Sequence, residues 1–475
     1  MVVVTTPAPT TLGELRATGH VYKPVKVELR DNLVQRLRDG EPTFPGIIGF
    51  DATVLPDVER ALLAGHDMVL LGERGQGKTR LIRTLTGLLD EWTPVVHGCE
   101  INDHPYLPVC RRCQAVVAEQ GDATSVGWRH RDERYGEKLA TPDTSVGDLI
   151  GDVDPIKVAE GRTLGDPETV HYGLVPRTNR GIFSINELPD LAERIQVSLL
   201  NVLEERDIQV RGYQLRLPLD LLVVASANPE DYTNRGRIIT PLKDRFGAEV
   251  RTHYPLELAD EQLLIAQEAN LMWDGDGSFA APLIPAHLLE VIARFAREVR
   301  EAPQVDARSG VSARFGIAAV ETLAASAVRR AALTGEASAV ARVCDLATVV
   351  PASRGKVEFE DTEEGRELDV LEHLLRRAIA QTFRARLAGL DLTSLQRRFD
   401  EGATVQTGEL VPGADLLREL GPVPGLAQIL ERLGVSEGVE NPGLVAAAVE
   451  FALEGLHLNR RLAKEYVDGR TLYGG

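Results

Sequence analysis

Residues 72–79 read Gly-Glu-Arg-Gly-Gln-Gly-Lys-Thr, two glycines separated by four residues and followed by a lysine and a hydroxyl residue. That spacing belongs to a phosphate-binding loop, and it constrains the fold because such a loop works only between a buried strand and the start of a helix. Both flanks are present. Met68, Val69, Leu70 and Leu71 form an apolar run long enough for a buried parallel strand. Behind the loop, Leu81, Ile82, Leu85, Leu88 and Leu89 recur at helical spacing. Gly72, Gly75 and Gly77 let the backbone curl, so that its amides, those of Glu73, Arg74 and Gln76 among them, point inward. The helix opening near Lys78 adds its positive dipole end to the same pocket. A nucleotide polyphosphate fits there: Lys78 is placed to reach the β- and γ-phosphates, and Thr79 to offer a hydroxyl oxygen to Mg²⁺.

A chain of 475 residues exceeds what one core usually fills, so two or three domains are expected. A net charge of −18 disfavours a nucleic acid or an anionic membrane as a general partner, since both demand a basic face. No apolar run approaches the roughly 18 residues of a membrane span. The start, MVVVTTPAPTTLGELR, lacks the early positive charge and long apolar core of a secretion signal. Four cysteines in so long a chain suggest no disulfide framework, and the expected location is cytoplasmic.

Along the chain, helices are expected at 28–37 and 55–64, with a turn-rich apolar segment at 44–50 between them. Residues 93–96 read as a second strand. They run into Cys99, Cys110 and Cys113; the last two have the gap that lets both thiolates meet one tetrahedral ion, and Cys99 lies close enough to join. A small structural zinc knuckle over 97–113 is therefore expected, with His97, His104 and Cys344 all open as the fourth ligand. Residues 120–180 hold few periodic segments, and an insertion of that length is uncommon unless functional. Residues 181–186 make a short apolar strand ending in Asn186 and Glu187. An amphipathic helix over 191–203, an alternating hairpin over 207–217 turning at Gly212-Tyr213, a buried strand over 221–227 that runs into Asn228-Pro229, and a last strand over 248–252 follow. From about 256 the character is helical: apolar residues keep helical periods over 260–271, 286–299, 312–334, 337–350, 365–387 and 443–464, with breaks at 356–364 and 406–425 that read as linkers.

This order of parts resembles the AAA+ ATPase module, in the branch of magnesium chelatase motor subunits and MoxR-type ATPases. The resemblance is carried by the phosphate loop, by Asn179-Arg-Gly-Ile-Phe-Ser-Ile-Asn-Glu187, by Leu199-Leu-Asn-Val-Leu-Glu-Glu-Arg206 with the hairpin after it, by Asn228-Pro229, by Leu242-Lys-Asp-Arg-Phe246 and by Ser309-Gly-Val-Ser-Ala-Arg314. It spans about residues 41–350. It implies an α/β P-loop core, a parallel sheet flanked by helices, over 41–255 after a lead-in over 1–40; then an α-helical lid over 256–355 and a mostly helical C-terminal region over 356–475. ATP and Mg²⁺ are the implied cofactors. By the same resemblance Lys78 and Thr79 serve phosphate and Mg²⁺, Glu187 is the catalytic base and Asn228 the sensor of the γ-phosphate. Arg245 is the finger reaching a neighbouring subunit's nucleotide, Arg314 the contact from the lid with Arg308 as its rival, and Ile47 and Ile48 line the adenine pocket.

Asn186 stands where the family carries an Asp that holds the water shell of Mg²⁺. An amide accepts hydrogen bonds from metal-bound water but brings no negative charge, so weaker Mg²⁺ affinity or slower turnover is expected. Active sites completed by a neighbour's arginine imply a ring, expected to be a homo-hexamer. The function so implied is ATP-driven remodelling of a separate client, MoxR-type members working with a partner bearing a von Willebrand-type domain. The motor subunit of a magnesium chelatase is the alternative, and a weakly or non-hydrolysing ATP-gated scaffold is the alternative of another class. A sigma-54-type activator is disfavoured, because its GAFTGA loop and a helix-turn-helix candidate are both absent.

Overall fold

The computed structural model describes residues 9–153, 170–204, 208–210, 213–215, 217–229, 237–271, 281–306, 310–435, 441–467 and 470–474. It divides into two compact units, Met1–His253 and Tyr254–Gly475.

Five parallel strands carry the first unit: β1 (Met68–Leu71), β2 (Tyr135–Leu139), β3 (Gly181–Asn186), β4 (Leu221–Ala227) and β5 (Ala248–Arg251), in the order β5-β1-β4-β3-β2. Every residue of β1, β3 and β4 is buried. Successive side chains alternate between two apolar clusters. Val69, Leu71, Phe183, Ile185, Val223 and Ala225 enter one; Met68, Leu70, Ile182, Leu222 and Val224 enter the other. Burial on both faces is why these strands read as near-continuous apolar runs. Helices α1 (Val25–Asp39) and α2 (Val54–Ala64) cover one face through Leu29, Leu33, Val58 and Leu62, in the cluster of Met68 and Leu70. The remaining helices used below are α3 (Lys78–Thr84), α4 (Arg111–Gln120), α5 (Glu193–Glu204) and α6 (Thr240–Arg245).

Two strand expectations need correction. Residues 93–96 do form a strand, Trp92–Val96, but it pairs antiparallel with Val126–His130 in a separate two-stranded sheet. Pro94 has no N–H to give a central ladder, which suits a two-stranded ribbon. The core strand of that region is β2, which pairs with β3 from Tyr135↔Ile182 to Leu139↔Asn186. In the hairpin, Val210 pairs with Tyr213, so Tyr213 belongs to the second strand; Gly212 lies outside the described residues.

The second unit packs α7 (Leu258–Glu268), α8 (Ala286–Glu301), α9 (Ala313–Thr334), α10 (Glu367–Leu387) and α11 (Pro442–Leu458) around one apolar cluster that runs from Ile265 to Tyr473. The helix expected over 337–350 is instead a 3₁₀ turn, Val343–Thr348, followed by the short helix Val349–Ser353. Residues Val405–Thr407, Arg470–Gly474 and Ala463–Val467 form a three-stranded antiparallel sheet that helical periodicity did not show. Arg342, wholly buried, ties these pieces together: it donates to Glu450 Oε2 at 2.8 Å, to the carbonyl of Val411 at 2.7 Å and to Thr407 Oγ1 at 2.9 Å.

Candidate functional site

Parallel strands deliver their C-terminal ends to one edge of the sheet, where the crevice of an open α/β fold lies. β1 ends there at Leu71 and the chain turns directly through Gly72. A Cβ on Gly72 would stand 2.0 Å from Thr252 Oγ1 and 2.2 Å from Gln76 Oε1, so any larger residue would have to displace that hydrogen-bonded pair. Gly75 and Gly77 both hold φ at 75°, the left-handed conformation that costs glycine least. α3 opens at Lys78. The Lys78 ammonium is buried and donates to the carbonyl of Gly72 at 2.5 Å, to that of Glu73 at 2.8 Å and to Asn228 Oδ1 at 2.8 Å.

Asn228, at the end of β4, uses its other amide end to donate to Glu187 Oε2 at 2.7 Å. One side chain thus joins the loop lysine to the carboxylate at the end of β3. Glu187 holds φ 57° and ψ 46°, a strained backbone for a residue other than glycine. Strain of that kind persists where the surroundings impose it and gathers at functional sites. The Glu187 amide donates to Ser226 Oγ at 3.3 Å. Asn186 accepts from Ser226 Oγ at 3.3 Å and from Thr79 Oγ1 at 3.5 Å, and its amide nitrogen donates to Glu137 Oε1 at 2.5 Å. The four positions 78, 79, 186 and 228, together with Glu187, therefore meet in one network.

Two members of this edge escaped the sequence. Glu137 lies on β2, facing Asn186, and is gripped by Arg83 of α3 through contacts of 2.9 and 3.1 Å. Its strand, Tyr135-Gly-Glu-Lys-Leu139, is too polar to read as core, although that polarity is what an edge strand carries. Thr252 donates to Gln76 Oε1 at 2.7 Å. Gly72, Glu73, Gln76, Pro229, Arg251 and Thr252 border a cleft of about 410 Å³. A cation, two amides, a hydroxyl and a carboxylate at one strand edge can hold a cation-bound polyphosphate and keep a base beside it.

The other expected residues are spread more widely. Ile47 and Ile48 are half-buried, and Ile47 packs on the cluster of Leu70 and Val250. Arg245 closes α6; its guanidinium donates to Glu204 Oε2 of α5 at 2.7 Å and to the carbonyl of Pro241 at 2.8 Å, outside the Lys78 network. Arg314 is exposed in the first turn of α9, its amide donating to Ser312 Oγ at 3.0 Å, in the second unit. Arg308 and Ser309 lie outside the described residues.

Cys99, Cys110 and Cys113 converge, and the fourth group with them is Asp103. The ligand atoms of all four lie within 4.8 Å of one another. The open choice among His97, His104 and Cys344 is thereby corrected, because a search for sulfur and imidazole alone passes over a carboxylate between them. His104 stacks on His20 instead, ring centroids 5.3 Å apart, and Cys344 sits in the second unit. Hydrogen bonds from Cys110 and Cys113 hold the Cys99 thiol well below its ordinary range, and the same bonds push the Cys113 thiol up. Burial, with the Cys99 charge beside it, pushes the Asp103 carboxyl up to about 6.

The model of the Sigma-54 interaction domain family matches residues 162–245. Among curated proteins, the magnesium-chelatase 38 kDa subunit of Cereibacter sphaeroides is 28% identical over 228 residues, 45% of this chain and 60% of its own. The magnesium-chelatase subunit ChlI of Guillardia theta is 28% identical over 200 residues, 39% of this chain and 50% of its own. The chain is an AAA+ ATPase related to magnesium-chelatase subunits. This AAA+ chain spans 50 to 60% of the length of those two relatives. Among solved structures it is similar to a BchI–BchD complex of magnesium chelatase, at 23% identity and a TM-score of 0.35, over 68% of this chain and 98% of that one. It is also similar to NtrX of Brucella abortus in complex with ADP, at 14% identity and a TM-score of 0.40, over 78% of this chain and 71% of that one. Among the described residues, no helix of the AAA+ chain is long and apolar enough to cross a membrane.

Proposed function

We propose that this AAA+ ATPase is a ring-forming motor, a homo-hexamer that hydrolyses ATP to remodel a separate partner protein in the manner of the MoxR-type branch. The observation that carries the reading is the Asn228 side chain shared between Lys78 and Glu187, at 2.8 and 2.7 Å. The donor set suits MgATP: loop amides and Lys78 for the phosphates, the Thr79 hydroxyl for the cation. When bound, Mg²⁺ neutralises charge on the β- and γ-phosphate oxygens. Lys78 exchanges its carbonyl partners for phosphate oxygens. Glu187 orients the attacking water and takes its proton, and Asn228 links that base to the state of the phosphate. Arg245 leaves Glu204 for the nucleotide of a neighbouring subunit; such a finger is worth about 10³ to 10⁵ in rate, so an isolated protomer hydrolyses poorly.

Asn186 is the weak point of a hydrolytic site, and Glu137 answers it. The carboxylate 2.5 Å from the Asn186 amide supplies the negative charge that an amide lacks, one residue further from the cation. Arg83 pairs with both oxygens of that carboxylate, but its guanidinium is largely exposed, where water screens the cation.

Replacing Lys78 by Ala tests the site: affinity for a fluorescent ATP analogue should fall by roughly 10- to 100-fold, the worth of a charged hydrogen-bonding group of about 1.5–3 kcal/mol. Unchanged affinity overturns the reading. Glu187→Gln, loaded with ATP, should retain the client in a pull-down from the native host, with a protein bearing a von Willebrand-type domain the first expected. The motor subunit of a magnesium chelatase is the second reading, favoured by the names of the curated relatives. Blocked tetrapyrrole synthesis on deletion of the gene would select it. A non-hydrolysing scaffold would be selected by an assembled ring with no ATPase above background, unchanged by Glu187→Gln. A sigma-54 activator fits poorly, since GAFTGA is absent from the sequence.

A further inference from the structure

We propose that Cys99, Asp103, Cys110 and Cys113 bind one zinc ion, and that this ion fixes the fold of the segment that packs against the N-terminal end of β3. Three sulfurs and one oxygen converge with all ligand atoms within 4.8 Å, close enough for one tetrahedral centre. Asp103 is only 1% exposed. Its Oδ2 accepts from the amides of Val109 at 3.1 Å and Cys110 at 2.8 Å, whereas its Oδ1 is buried with no hydrogen-bond partner among the described residues. A carboxylate oxygen left so, beside three thiols, is costly unless a cation answers it.

The amide of Cys113 donates to Cys110 Sγ and that of Asp103 to Cys99 Sγ, both at 3.3 Å, which fixes the orientation of two of the sulfurs. Cys110 caps the ten-residue helix α4. Three thiolates exclude Mg²⁺ and Ca²⁺, which take oxygen, and suit zinc. Four protein ligands leave no open position, so the ion is structural.

The segment between the ligands is bound to the start of β3. Arg180, next to Gly181, donates to the carbonyls of Pro94 at 2.7 Å and Asn102 at 3.4 Å. Asn179 donates to the carbonyl of Ile101 at 3.0 Å, and Asn102 to that of Arg177 at 2.6 Å. Ile101, Cys110 and Cys113 share one apolar cluster with Phe183 and Ile185 of β3. The ion therefore fixes the segment that these bonds hold against one end of the strand whose other end carries Asn186 and Glu187.

The full chain, expressed in zinc-supplemented medium and purified without chelator, should carry about one zinc per chain by elemental analysis. Its cysteines at 99, 110 and 113 should react with a thiol reagent only after chelation. Cys113→Ser should lose the metal. Asp103→Asn, nearly isosteric and the safer variant for folding, should lower zinc affinity roughly tenfold or more, read by competition with a chromophoric chelator. The proposal is overturned by a chain without zinc whose three thiols react at once, by a Cys110–Cys113 disulfide, or by unchanged affinity in Asp103→Asn.

Discussion

Asn186 accepts from Thr79 and Ser226 and donates to Glu137, so one neutral side chain stands between the loop hydroxyl and a carboxylate on the next strand. If that carboxylate supplies the charge seen by Mg²⁺, Glu137→Gln should raise the Mg²⁺ needed for half-maximal binding of a fluorescent ADP analogue about tenfold, equivalent to about 1.4 kcal/mol. Asn186→Asp should restore it in the Glu137→Gln background, yet bring no gain while Glu137 remains, because two carboxylates in contact oppose each other. Independent effects of the two changes would refute the pairing. A second residue sets an acid limit on stability. His287 is wholly buried against Phe451, with ring centroids 4.8 Å apart, and burial pushes its pKa down to about 3 from an ordinary 6.5. The folded state therefore binds the proton more weakly than the unfolded chain. Its contribution is complete above pH 6.5 and is lost as pH falls toward 3, by about 1.4 kcal/mol per unit. Urea titrations between pH 6 and 4 should show a shallower decline for His287→Phe than for the parent.

At the level of elements, Glu28 of α1 meets Arg134, immediately ahead of β2, in a two-pronged pair at 2.6 and 2.7 Å with both side chains buried. Removing one partner strands the other charge, so Glu28→Ala should destabilise the first unit by about 3–5 kcal/mol in denaturant titration. A loss below 1 kcal/mol would mean that the pair carries little. Legibility in the sequence followed burial. β1, β3 and β4 are covered on both faces and announce themselves as apolar runs, and the residues at their ends, Lys78, Glu187 and Asn228, were found with them. β2 is an edge strand whose polar residues hide it, so Glu137 was hidden too. The strand Trp92–Val96 was visible as a strand but not as an antiparallel one, since pairing direction leaves no mark on a five-residue run. Asp103 went unseen because its place among the three cysteines depends on a turn of the chain between Cys99 and Cys110 that ligand spacing alone does not specify.

For the molecule as a whole, the first unit holds both the Lys78 network and Arg245, yet the polar partners of Arg245 are Glu204 and the Pro241 carbonyl. In the proposed ring Arg245 would serve a neighbour's nucleotide, and its pairing with Glu204 is one it could exchange. Arg245→Ala should therefore leave nucleotide affinity unchanged while reducing turnover by about 10³-fold or more. The most direct measurement mixes two inactive proteins: Glu187→Gln, with a dead base but an intact finger, and Arg245→Ala, with an intact base but no finger. In a ring whose sites are shared between neighbours, co-assembly places the Arg245 of one beside the Glu187 of the other, and ATPase activity should reappear and peak at intermediate ratios. Mixtures that co-assemble and stay inactive at every ratio would contradict the shared site.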